Sequence, residues 1–288
     1  MKKFLGGDIG GSKADLVLLD EAGEIIKFVQ AEGINFQIGR ERFIENLKEL
    51  LYRHNFPDFE RGVVGVAGIY RKEEKSELES QFPRIKFLSD VEILLHGEFS
   101  EEPGMVVIAG TGSIIAVKDS AGNIRRFGGY GYLLDDVGSG FLIGKRALIA
   151  AARSAEKLGP RTTLEEILLQ FFEKDNFVDV TPVLYNAPSP QRIIASLSPI
   201  VFKEYGRDEV ATQIIENSIQ ELVNMVFSIY KKYEGEVTRC LLSGGLFREK
   251  IYSGLFKSFL EEKRCPLKLV FAAKPAALYA AEIAKSGL

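Results

Sequence analysis

Apolar positions along the chain fall into short runs broken by glycine, and these alternate with longer stretches whose apolar residues recur every three or four positions. The first pattern predicts strands and the second helices. Phe4-Leu5-Gly6-Gly7-Asp8-Ile9 turns through Gly10-Gly11-Ser12-Lys13 into Ala14-Asp15-Leu16-Val17-Leu18-Leu19, so three antiparallel strands are expected over 3–8, 12–20 and 24–32. A helix over 40–53 places Phe43, Leu47, Leu50 and Leu51 on one face. The two-sided apolar run 61–68 predicts a buried strand, followed by a charged helix over 72–81 and a strand over 85–88. Ser89-Asp90 then opens another helix at Val91, with Asp90 in the capping position.

A second series begins after Pro103-Gly104, where Met105-Val106-Val107-Ile108-Ala109 feeds Gly110-Thr111-Gly112-Ser113. It repeats the first: Asp20-Glu21-Ala22-Gly23-Glu24-Ile25-Ile26-Lys27-Phe28 recurs as Asp119-Ser120-Ala121-Gly122-Asn123-Ile124-Arg125-Arg126-Phe127. A period near one domain length implies duplication of a domain. A helical insertion is expected over about 158–235, with a capping box at Thr162-x-x-Glu165 and N-caps at Ser189-Pro190 and Ser198-Pro199. A long helix over 208–233 precedes a strand ending in Ser243-Gly244-Gly245, a last strand over 267–271 and an alanine-rich helix from Lys274-Pro275-Ala276-Ala277.

Composition narrows the partners. The 288 residues are 46% hydrophobic and 27% charged with a formal charge of -3, so two soluble domains are expected and no basic footprint for nucleic acid. No apolar run reaches a membrane span, and the start lacks a signal-peptide pattern. Cys240 and Cys265 stand apart, and His54 and His96 are the only histidines, which argues against a zinc or iron–sulfur site and fits a reducing cytoplasm.

Candidate chemistry gathers at the glycine turns. Gly10 and Gly11 are expected to take backbone angles closed to other residues and to bring N–H groups to an anion, with Ser12 and Lys13 adding a hydroxyl and a charge. An ordinary tight hairpin is the alternative, weakened by the second loop at Gly110-Thr111-Gly112, which suggests a nucleotide held between the copies. Asp8 could hold Mg²⁺ through water. Asp90 is either a helix cap or a ligand-facing acid at the carboxyl end of a strand. The stretch from Gly128 to Gly140 reads as a ligand loop, in which Tyr130 either stacks on a sugar face or fills space.

Asp8-Ile9-Gly10-Gly11-Ser12-Lys13, Ala109-Gly110-Thr111-Gly112-Ser113, Leu242-Ser243-Gly244-Gly245 and Pro275-Ala276-Ala277 resemble the phosphate-1, phosphate-2, adenosine and second connecting motifs of the actin, heat-shock ATPase and sugar-kinase superfamily. Within it, the chain resembles the BadF/BadG/BcrA/BcrD ATPases, which include N-acetylglucosamine kinases. The resemblance implies an α/β fold of two ribonuclease-H-like domains, each with a mixed five-stranded sheet, over 1–103 with 275–288 and over 104–274. ATP·Mg²⁺ would occupy a cleft between them. By position, Asp90 matches the base for the acceptor hydroxyl and Asp8 the metal-side acid, while Gly10, Gly11, Ser12, Lys13, Gly110, Thr111, Gly112, Gly244 and Gly245 match the nucleotide contacts. Asn35, Ser113, Gly129, Tyr130 and Asp136 match the sugar side. The implied activity is phosphorylation of a sugar hydroxyl by a cytoplasmic enzyme, compatible with a homodimer. Two departures stand out: Asp135-Asp136-Val137-Gly138 replaces a Gly-Asp-Glu-Gly pattern, and Ile114 replaces a polar residue. An ATP-driven switch acting on a protein partner, as in the dehydratase activators of the same group, is the alternative; a nucleotide- or sugar-binding regulator without turnover is a further one, and the acids argue against it.

Overall fold

The first apolar runs become β1 (Lys3–Ile9), β2 (Lys13–Asp20) and β3 (Ile25–Glu32), an antiparallel meander in which Asp8 lies opposite Asp15. This computed structural model describes residues 2–36, 39–56 and 58–287. Next, α1 (Arg40–Arg53) buries Phe43, Leu47 and Leu50, three residues on one helical stripe. β4 (Arg61–Val66) runs parallel beside β1, and after α2 (Lys72–Gln81) β5 (Ile85–Ser89) runs parallel beside β4. The sheet order is β3-β2-β1-β4-β5, with Leu5, Ile9, Leu16, Val64 and Phe87 packed against the α1 stripe. α3 (Asp90–Phe99) begins one residue earlier than expected, and its cap is Ser89, not Asp90. The physical reason is the capping box: Glu92 reaches back to the Ser89 N–H at 2.6 Å, a pairing available only if the cap precedes it by three residues.

The second series folds as β6 (Gly104–Ala109), β7 (Ser113–Lys118) and β8 (Ile124–Phe127), then α4 (Gly140–Ala155) capped by Ser139. The insertion supplies α5 (Leu164–Phe172), α6 (Phe177–Tyr185), α7 (Pro190–Ala195), α8 (Ser198–Lys203) and α9 (Glu209–Lys232). β9 (Arg239–Ser243), α10 (Lys250–Glu262) and β10 (Lys268–Phe271) complete a sheet ordered β10-β9-β6-β7-β8. That order is the first sheet's order strand for strand, and the repeated segment turns at the same place in both, with Gly23 at φ +95° and Gly122 at φ +81°. Two expected caps do not form. The Thr162 hydroxyl donates to Asp208 at 3.0 Å while Glu165 accepts from Ser154 at 2.7 Å, and Ser198 gives its hydroxyl to the Ala195 carbonyl. Thr162 and Glu165 are drawn to partners on other segments, Asp208 and Ser154, although the Thr162 hydroxyl still accepts from the Leu164 N–H at 3.2 Å, and Ser198 turns to a carbonyl three residues back.

The chain ends in α11 (Ala276–Ser286), which packs on β1, β4 and α3. Its small residues Ala277, Ala280, Ala281 and Ala284 are buried, and Gly6 lets the helix backbone close in: a Cβ there would lie 2.1 Å from the Ala277 carbonyl oxygen. Arg61 secures the far end by donating to the carbonyls of Ala284 at 2.5 Å and Lys285 at 2.9 Å. The chain thus divides into a first unit, Met1–Gly104 with Ser120–Ile124 and Ala272–Leu288, and a second unit, Met105–Asp119 with Arg125–Phe271. Both have the expected α/β architecture of a mixed five-stranded sheet flanked by helices. Among the described residues, no helix is long and apolar enough to cross a membrane.

Candidate active site

In the first unit, Gly10-Gly11-Ser12 joins β1 to β2, closed by the Gly10 N–H donating to the Lys13 carbonyl at 2.8 Å. Neither glycine has a positive φ, so the expected special backbone angles are not used. A Cβ on Gly10 would come within 3.5 Å of the Lys13 oxygen and one on Gly11 within 3.7 Å of Asn35, both ordinary contacts. What the two glycines provide is bare backbone, free of side chains that would hold a ligand off. The crowded glycine is Gly33, where a Cβ would lie 2.4 Å from both the Gly10 oxygen and the Lys13 nitrogen. Motif reasoning passes over it, although it sits in the loop that brings exposed Asn35 beside Gly11.

Three carboxylates converge near this turn. Asp8, the last residue but one of β1, is half-buried, and its pKa is pushed from 3.8 up to about 7 by burial, then by the charges of Asp90 and Asp15, with Lys13 opposing. Asp15, 2% exposed, is held by Lys13 Nζ at 2.5 Å and accepts from Gln30 Nε2 at 3.1 Å. Asp15 is not among the residues the motifs single out, although an acid inside an otherwise apolar strand, two residues beyond the lysine, is a legible signal. Lys13 is accordingly an ion-paired side chain here. Asp90, no longer needed as the cap, is the first residue of α3, and its Oδ1 accepts from the Val91 N–H at 2.9 Å.

In the second unit, Gly110-Thr111-Gly112 joins β6 to β7, and the first N–H groups of α4 are turned onto it: Gly140 donates to the Gly110 carbonyl at 2.8 Å and Phe141 to that of Thr111 at 3.1 Å. Asp136 packs directly above, in a left-handed conformation at φ +70°, and accepts from the Ser113 N–H at 3.1 Å. Burial pushes its carboxyl up, the Ser113 N–H pulls it down, and Asp135 adds to the rise. Gly112 is required by this contact, since a Cβ would lie 2.9 Å from Asp136 Oδ1. The Ser113 hydroxyl, expected on the sugar side, donates to the Val137 carbonyl at 2.7 Å and so locks the same loop. Gly129, at φ +67°, packs against Ile114, and exposed Tyr130 has the Arg126 guanidinium 5.3 Å from its ring centre. Gly244 follows β9 at φ +102° with space for a Cβ closed off by the Ala109 carbonyl at 2.2 Å, while Gly245 faces open space. The Gly245 nitrogen lies 3.9 Å from where a Gly110 Cβ would be, so this turn and the glycine loop are neighbours.

The site residues therefore form two sets: Asp8, Gly10, Gly11, Ser12, Lys13, Asn35 and Asp90 in the first unit, and Gly110, Thr111, Gly112, Ser113, Gly129, Tyr130, Asp136, Gly244 and Gly245 in the second. Comparison with known proteins matches residues 5–280 to the model of the BadF/BadG/BcrA/BcrD ATPase family. An N-acetylmuramic acid/N-acetylglucosamine kinase of Clostridium acetobutylicum is 29% identical over 99% of both chains, and an N-acetyl-D-glucosamine kinase of Dictyostelium discoideum is 25% identical over 90% of both. Among solved structures, a proposed N-acetylglucosamine kinase from Chromobacterium violaceum superposes with a TM-score of 0.78 at 21% identity, covering 98% of this chain and 99% of its own.

Proposed function

Since the chain belongs to the BadF/BadG/BcrA/BcrD ATPase family, we propose that it transfers the γ-phosphoryl group of ATP to a hydroxyl of an amino sugar, N-acetylglucosamine or a close relative. The observation that carries this reading is the β1–β4–β5 register, which sets Ile9, Val66 and Ser89 side by side and so brings Asp8 and Asp90 to the same end of the sheet beside a bare glycine turn; after burial, the charge of Asp90 raises the Asp8 pKa. Phosphoryl transfer needs positioning and charge neutralisation more than covalent help, and it needs a base for the attacking hydroxyl. Asp90 takes that proton. Gly10, Gly11 and Ser12 offer donors to phosphate oxygens, and Lys13 contributes positive charge. Asn35, also in the first unit, takes a sugar hydroxyl, while in the second unit Gly110, Thr111 and Gly112 hold phosphate, Gly244 and Gly245 the adenosine and Asp136 a sugar hydroxyl, with Gly129 and Tyr130 lining the sugar side.

Asp8 also fits a divalent cation that keeps most of its water. Asp8 feels the charges of both Asp90 and Asp15, so an added positive charge relieves that repulsion. No group of three or more His, Cys, Asp or Glu side chains able to hold a metal exists among the described residues. Asp8 would therefore hold Mg²⁺ with water and phosphate completing its shell, as is usual for that ion. Bound there, it would supply charge neutralisation on the transferring phosphate.

The test is coupled ADP release with N-acetylglucosamine, N-acetylmuramic acid, glucosamine, glucose and no acceptor. An amino sugar should stimulate release and appear as its phosphate by mass spectrometry. Slow hydrolysis indifferent to every sugar would overturn the kinase reading in favour of an ATP-driven switch.

A further inference from the structure

Asp90 sits at the seam of β5 and α3, and β5 is an outer strand of its sheet. An outer strand is paired on one side only, so its free edge and the turn beyond it need partners from elsewhere. Here α2 supplies them. Glu79 Oε1 accepts the Phe87 N–H at 3.1 Å. One helical turn earlier, Lys75 Nζ lies 2.7 Å and 2.6 Å from the two carboxylate oxygens of Glu92. Glu92 Oε2 in turn accepts the Ser89 N–H at 2.6 Å and the Ser89 hydroxyl at 2.8 Å. Ser89 and Glu92 flank Asp90, so its backbone is fixed from both directions.

Two details separate this from an ordinary surface ion pair. The side chains of Lys75 and Glu92 are only 17% and 21% exposed, which shelters the pair from the solvent that makes most surface pairs worth little. Burial raises the Glu92 pKa, but the hydrogen bonds from Lys75 and Ser89 outweigh it and hold the carboxyl below its usual range, so it stays charged in this role. In addition, a capping box needs only Ser89 and Glu92. The ammonium of a different helix adds nothing to the cap; it ties the cap to α2.

We propose that the Lys75–Glu92 pair is a positioning device that sets the Asp90 carboxylate for the acceptor hydroxyl. The inference rests on the reading of Asp90 as the base. A carboxylate must meet its proton within hydrogen-bond reach, and a shift of about 1 Å in such a geometry costs about 10²-fold in rate. Lys75 and Glu92 themselves touch no substrate.

The experiment is a double-mutant cycle on the full chain with ATP, Mg²⁺ and the best acceptor of the sugar panel. Lys75→Met should lower kcat roughly 10- to 100-fold, with ATP affinity by calorimetry and the sugar KM near those of the parent. Lys75→Arg should restore most of kcat, because a guanidinium can span both Glu92 oxygens. Asp90→Asn should lose roughly 10²- to 10⁴-fold, and adding Lys75→Met to it should lower kcat no further. If Lys75→Met fails to fold, Lys75→Gln and Glu92→Gln carry the same comparison. If Lys75→Met costs as much in the Asp90→Asn background as in the parent, or a folded Lys75→Met keeps parental kcat, the positioning role is overturned while the base stands. Parental turnover in Asp90→Asn would instead remove the base reading, and this inference with it.

Discussion

A carboxyl at the end of β1 has to ionise beside two others, and this is the most consequential single-residue fact in the first unit. Asp8 holds its proton to about pH 7 in the fold against 3.8 ordinarily, because it is buried and faces Asp90 and Asp15. Between those values the folded state keeps a proton that the unfolded chain has lost, so stability from this group falls as pH rises through the window and levels off above it. Asp8→Asn has no charge to lose. Its stability relative to the parent should therefore grow between pH 4 and pH 7.5 by at most about 4 kcal/mol, measured by urea unfolding without nucleotide or Mg²⁺. A difference that stays flat with pH would show that the three acids do not repel as described. The acids were legible in unequal measure. Asp8 and Asp90 stand at strand ends next to glycine or a helix start, where motif reasoning looks. Asp15 lies inside a strand, and only the pairing of β1 with β2 sets it opposite Asp8.

At the scale of elements, the glycine turns look alike in sequence and differ in what they require. Gly244 needs its glycine for conformation and space, whereas Gly245 has a helical backbone and open surroundings. Gly244→Ala should cost about 2–5 kcal/mol, combining the left-handed penalty with a clash against the Ala109 carbonyl. Gly245→Ala should unfold within about 0.5 kcal/mol of the parent yet bind ATP more weakly, since an added methyl group projects where adenosine is proposed to lie. Urea denaturation and calorimetry separate the two, and equal stability losses would count against the distinction. Of Gly10, Gly11, Gly110 and Gly112, only Gly112 is crowded, by Asp136; the other three have no neighbour within 3.4 Å of an added Cβ.

For the molecule as a whole, the first unit is completed by the end of the chain. α11 covers β1 and β4 through Gly6 and four buried alanines, and Arg61 ties its last carbonyls. Removing 272–288 should therefore uncover the first sheet and leave the second unit's strands intact. Hydrogen exchange should then show β1 and β4 losing protection while β6 and β9 keep theirs, and equal protection in both would contradict the division of the chain.

Much of this was determined by the sequence alone. The alternation of two-sided apolar runs with amphipathic stretches, and the repeated Asp-x-Ala-Gly turn, specify two like sheets, because strand burial and left-handed turns are local demands met by local residues. The glycine motifs likewise marked the loops. What only the tertiary structure decided are the choices among competing partners. Thr162 turns to Asp208, Ser113 gives its hydroxyl to Val137, and Lys75 comes across from α2 to hold Glu92, whereas the Ser89 cap of α3 is a local Ser-x-x-Glu pairing. Thr162, Ser113 and Lys75 each take a partner that the fold brings from far along the chain, and a hydrogen bond is settled by distance in space.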